Sequence, residues 1–187
     1  MEDKTYKALL IRANSKKLEL VDVPQRGTLG KVSQKIGCSL VTSFPAQFNE
    51  RKYAPNKMTC FNMWVDDMGI INGSPVNNTA TFLAESLTTA RIEVTIGQAK
   101  ESPEDADLEK LYHMAKVVKE EMSPVHGDAV ITLSYESGDD SVGVDFPAQA
   151  YELILSMLNA ESWQKLRDWA IRLTEVLDAE QEAIDSE

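Results

Sequence analysis

Lys7-Ala8-Leu9-Leu10-Ile11-Arg12 and, beyond the polar stretch Asn14-Ser15-Lys16, Leu18-Glu19-Leu20-Val21-Asp22-Val23 decide the fold of this chain. Both runs have strand length and strand composition, and a short polar link between them reads as a β-hairpin. Pro24 and Gly27 end it. Thr28 is placed to cap a short helix, because Leu29, Val32 and Ile36 recur at helical spacing and Gly37 supplies a stop.

The pattern continues outward from this hairpin and helix. A third strand is expected over 38–44, and the polar stretch 45–57, with Pro45 and Pro55, reads as an exposed loop. Strand composition returns at 58–65. Asp66-Asp67-Met68-Gly69 is then a turn in which Gly69 can take the left-handed position, leading to a short return strand over 69–72. Asn77 or Asn78 caps a helix reaching about Leu87, and the alternation of Ile92, Val94 and Ile96 predicts a closing strand. The class is α+β, a mixed sheet with helices covering one face.

Gly97 to Asp107 is poor in apolar residues and turns acidic, so it marks the expected boundary between a mixed α+β domain at 1–100 and a second unit at 101–187. That second unit reads as helix, β-hairpin, helix, helix, and it can pack into the same core as the first. Ser102-Pro103-Glu104-Asp105 has the cap, the early proline and the acids of a helix start. Leu108, Leu111, Tyr112, Ala115, Val118 and Met122 form an apolar stripe along that helix. A hairpin follows from 129–135 to 142–145, then helices over about 147–158 and 162–184. The last sets Leu166, Trp169, Leu173, Val176, Leu177 and Ile184 on one face and Asp168, Glu175, Asp178, Glu182 and Asp185 on the other.

Charge is divided by position. Residues 1–100 carry 13 Lys and Arg against 9 Asp and Glu, a net of +4, whereas residues 101–187 carry 6 against 21, a net of −15. Net charge bears on partners and association more than on fold. The acidic half therefore points to a positively charged protein partner. Carboxylates at regular helical steps of roughly 5–6 Å can compete for a groove that normally holds nucleic acid, as a nucleic-acid mimic does. The same charge opposes direct nucleic-acid binding by this chain. No apolar run approaches a membrane span, the N-terminus lacks a secretory pattern, and Cys38 and Cys60 read as buried thiols, so a cytoplasmic location in a host cell is expected. The amphipathic helices leave room for a homo-oligomer.

The stretch Trp64-Val65-Asp66-Asp67-Met68-Gly69-Ile70-Ile71-Asn72-Gly73-Ser74-Pro75-Val76-Asn77-Asn78-Thr79-Ala80-Thr81 resembles the signature of a small uncharacterised domain of bacteriophage and mobile-element proteins. Its pattern is strand, acidic-Gly turn, short strand, then Gly-x-Pro-x-Asn-x-x-Ala opening a helix, met here by Gly73, Pro75, Asn77 and Ala80. The resemblance covers roughly the first half. It implies a phage-type accessory protein, of a source whose small products often neutralise host defence systems, and it brings no mechanism.

Candidate chemistry is sparse. Asn77, Asn78, Thr79 and Thr81 stand at a helix start after a Gly-Ser-Pro turn, where free N–H groups could hold a phosphate or carboxylate, with Lys57 and Arg91 as charge; the simpler reading is a helix cap. His113, His126, Cys38 and Cys60 lack metal-ligand spacing, and Glu136, Asp139, Asp140 and Asp145 lack that of a calcium loop. No nucleophile elbow or Gly-rich phosphate loop occurs. No enzyme, cofactor or metal is therefore expected. The leading expectation is a non-enzymatic anti-defence inhibitor acting through the acidic C-terminal half, and the alternative is a nucleotide-sequestering or other small-ligand module at Gly73 to Thr81.

Overall fold

The computed structural model describes residues 4–15, 17–44, 60–101, 109, 112–113, 116, 123–137 and 140–158. The expected hairpin is formed by β1 (Thr5–Ile11) and β2 (Leu18–Pro24), paired from Thr5↔Pro24 to Ile11↔Leu18. Helix α1 (Thr28–Ile36) follows, closed by Gly37 in the left-handed region at φ 82°. Its start differs from expectation. Gly27, at φ 70°, occupies the cap position, and the Thr28 hydroxyl donates backward to the Pro24 carbonyl at 2.9 Å. Two further strands, β3 (Val41–Phe44) and β4 (Cys60–Asp66), pair antiparallel; the 45–57 stretch between them lies outside the described residues.

Beyond β4 the chain departs from its expected order. Residues 67–73 form a turn, with no return strand over 69–72, and the left-handed glycine is Gly73 at φ 68° in place of Gly69. Helix α2 then runs Asn78–Glu101, well past Leu87. The expected strand at Ile92, Val94 and Ile96 lies inside it, as does the first part of the expected boundary. At 1.5 Å per residue, 24 residues span about 36 Å. Tyr112, expected on a buried stripe, has helical backbone but is half exposed, its ring lying under the Lys100 ammonium at 5.8 Å. The second hairpin appears as β5 (Ala129–Ser137) and β6 (Asp140–Val144), followed by α3 (Ala148–Leu158). The 162–184 helix, with Asp168, Glu175, Asp178, Glu182 and Asp185, lies outside the described residues.

The strands make one sheet in the order β2-β1-β5-β4-β3, with β6 beside β5. Every pairing among the described residues is antiparallel, so the sheet is not of mixed direction. β5 is the centre. One of its edges carries β4 over Ala129 to Ser134; the other is shared end to end, β1 taking 129–131 and β6 taking 133–137. At that seam the Lys7 N–H donates to Asp145 Oδ1 at 2.7 Å and the Phe146 N–H donates to the Lys7 carbonyl at 2.9 Å. The Gln25 amide holds both the N–H and the carbonyl of Gly143. Gly143 is required there, because a Cβ would overlap the ring of Tyr6.

Helices cover both faces of the sheet, not one. On the first face, Val32 and Ile36 of α1 pack on Tyr6, Ala8, Leu10, Val23 and Val130. On the second, Ala80, Leu83 and Ala84 of α2 and Ala150 and Ile154 of α3 pack on Leu9, Ile11, Met63, Val65, Ala129, Ile131 and Leu133. The continuous apolar run Ala8-Leu9-Leu10-Ile11 is the local cause: alternate side chains of a strand point to opposite faces, so a strand buried on both has no polar side. At about 25 cal/mol per Å² of apolar surface, each such side chain contributes roughly 1.5–3 kcal/mol.

Candidate functional site

The end of β1, the 66–77 connection and the 125–128 segment converge at one end of the sheet, and the polar residues singled out in the sequence gather there. Asn77 is 1% exposed. Its Oδ1 accepts from the Ala80 N–H at 3.0 Å, which is the expected helix cap. Its Nδ2 donates to the carbonyls of Ile11 at 3.1 Å and Gly127 at 2.9 Å, and its backbone N–H donates to the Val125 carbonyl at 2.7 Å. Thr81 completes the knot: its hydroxyl donates to the Asn77 carbonyl and accepts from the Val125 N–H, both at 2.9 Å. A buried amide must satisfy all its polar atoms, and Asn77 does so by tying three distant segments together. Asn78 is exposed and Thr79 half-buried at the same helix start.

Beside this knot, Asp128 accepts from Arg12 Nη1 at 2.6 Å and from the Ala13 N–H at 2.9 Å. His126 Nδ1 stands 2.9 Å from the Ser74 carbonyl, and the Gly127 N–H donates to the Pro75 carbonyl at 2.8 Å. Gly69 passes so close that a Cβ there would sit 3.0 Å from the His126 carbonyl oxygen. Two carboxylates of the acidic half, Asp128 and Asp145, are thus engaged in holding the sheet.

A second polar group lies on the α1 face of the sheet. Trp64 Nε1 donates to the Thr132 hydroxyl at 2.8 Å, and Asn62 Nδ2 reaches Ser134 at 3.5 Å. Tyr6 hydrogen-bonds Thr28 and Thr132; burial raises its phenol above the ordinary value, more than those bonds lower it. Cys38 is half-buried, with Sγ 3.4 Å from the Leu40 carbonyl. Burial first, and the Asp66 carboxylate second, raise its thiol, which keeps it protonated and poorly nucleophilic.

Comparisons with protein-family models, with curated proteins and with solved structures find no match.

The structure thus brings Asn77 and Thr81 together as parts of one joint. Among the described residues, no group of three or more His, Cys, Asp or Glu side chains is arranged to hold a metal, and no helix is long and apolar enough to cross a membrane. His113 is exposed, and His126 faces the Ser74 carbonyl. What the sequence reading missed is that the turn begun at Asp66 runs on to Gly73. Ile70 and Ile71, read as part of a return strand, stand out to solvent, as does Met68 of the expected turn. The signal was an isoleucine pair between Gly69 and Gly73, too short a run to pair and bury both side chains.

Proposed function

We propose that this chain is a non-enzymatic, phage-type accessory protein that binds and inhibits a basic host protein, of a defence or nucleic-acid-handling kind, through its acidic C-terminal half. The observation that carries this reading is the net charge of −15 over residues 101–187. With Asp128 and Asp145 drawn into the sheet, the negative surface rests on the remaining carboxylates, Asp168, Glu175, Asp178, Glu182 and Asp185 among them. A field of that sign speeds encounter with a cationic groove and competes with the nucleic acid that occupies it. The engaged polar atoms of Asn77 and Thr81 favour this over ligand capture at the helix start.

The test is capture from nuclease-treated host lysate, with a Glu175→Lys, Asp178→Lys, Glu182→Lys chain beside the unaltered one. The expected result is one basic protein held at low salt, shed at high salt, displaced by duplex DNA, and lost by at least about tenfold in the reversed chain. Equal retention by both chains rejects the reading.

A further inference from the structure

Eight large apolar side chains stand exposed among the described residues, and they are not scattered. Four fall within one stretch: Met68 at 38%, Ile70 at 65%, Ile71 at 76% and Val76 at 42%. A fifth, Leu40, adjoins them, since its carbonyl accepts from the Asp67 N–H at 3.2 Å. Lone exposed apolar residues are normal on a soluble surface, but a cluster marks an interaction site.

The crest that carries them is braced by hydrogen bonds. Asp66 Oδ1 accepts from the Met68 N–H at 3.0 Å, and the Asn72 side chain reaches Oδ2 at 3.4 Å. The Asn72 N–H donates to the Met68 carbonyl at 2.8 Å and the Ser74 N–H to the Gly69 carbonyl at 2.9 Å. Beneath, the Gly127 N–H and the close approach of Gly69 to His126 fasten the crest to the start of β5. These bonds hold the backbone of the two exposed isoleucines, which lowers the conformational freedom that binding through them would forfeit.

Charge selects the occupant. The crest and its base carry Asp66 and Asp67 and no Lys or Arg, and Arg12, at the same end of the sheet, is paired with Asp128. An anionic lipid surface repels such a crest, because interfacial anchoring draws on Lys and Arg beside the apolar residues. A second copy docked across a two-fold axis would bring Asp66 and Asp67 of both molecules together as water left. We infer that the 67–76 crest is a docking anchor for a protein that offers an apolar pocket rimmed by Lys and Arg. This rests on the 67–76 crest and does not depend on the acidic surface invoked in the proposed function.

The test places the photo-cross-linker p-benzoylphenylalanine at Ile71, and as a control at Glu152, exposed on α3, in the full chain within its host cell. Both positions are exposed, so both chains should keep the far-ultraviolet circular dichroism and melting of the unaltered protein. The expected result is an Ile71 adduct with one protein, absent from the Glu152 chain, that maps to an apolar segment flanked by Lys or Arg. Adding Asp67→Lys should lower its yield about tenfold, as loss of a charge pair at a docking rim does. Adding the Glu175, Asp178 and Glu182 reversals should leave a detectable adduct at the same site, which separates this anchor from the acidic C-terminal surface. An adduct with lipid or with a second copy, one insensitive to Asp67→Lys, or none beyond the control overturns the inference.

Discussion

Replacing Asn77 by alanine removes a helix cap and also strips a donor from the buried carbonyl of Ile11 and the partly buried one of Gly127. The cap alone is worth about 1 kcal/mol. Each unsatisfied carbonyl costs about 1 kcal/mol or more, so Asn77→Ala should lower stability by roughly 3 kcal/mol. Asn77→Asp separates the two roles. Aspartate caps as well as asparagine, but it turns a carboxylate oxygen toward both carbonyls, so a loss of similar size is expected where capping alone predicts none. Urea denaturation of the three proteins measures this, and an Asp variant as stable as the original would reduce Asn77 to a cap. The cap was legible from the chain, since a helix start and its capping residue are three positions apart. The partners at positions 11 and 127 were not, because nothing local encodes contacts across 66 and 50 residues.

At the scale of elements, β5 should be the last strand to open. It is paired on both edges over 129–131 and 133–134 and buried on both faces from Ala129 to Ser134, while β2 and β3 are the end strands of the sheet order. Native-state hydrogen exchange should find the amides of Val130 to Leu133 opening only with global unfolding, and those of β2 and β3 opening at lower free energy. Equal protection across the sheet would contradict this order. The hairpins were readable because apolar runs of strand length bounded by turn residues have few other uses. The misread segments share a physical cause. Positions 92 and 96 sit two steps apart in an alternating pattern and one turn apart on a helix, so Ile92, Val94 and Ile96 fit both, and the long α2 context decided it. Likewise Ile70-Ile71 reads as strand only while the Asp66 side chain, which closes the turn around it, is left out.

For the whole molecule, the sheet joins what the charge profile divides. β5 comes from the acidic half, yet in the order of the described strands it stands between the β1–β2 hairpin and the β3–β4 pair. A chain ending at Glu101 would keep both hairpins and lose the strand between them, along with Phe146, Ala150 and Ile154 of the second core. It should show no cooperative thermal transition by circular dichroism, whereas the full chain unfolds in one step. A sharp melt of the fragment would show that the 1–100 unit is an independent domain.

That arrangement also sets a clock during synthesis. Leu10 must wait for Val130, which leaves the ribosome 120 residues later. At about 5–20 residues per second, the interval is roughly 6–24 s. Throughout it, two nascent hairpins expose the sticky edges and apolar faces destined for β5, so chaperone demand should fall on the middle of translation, and slow codons placed before position 129 would lengthen the period of risk.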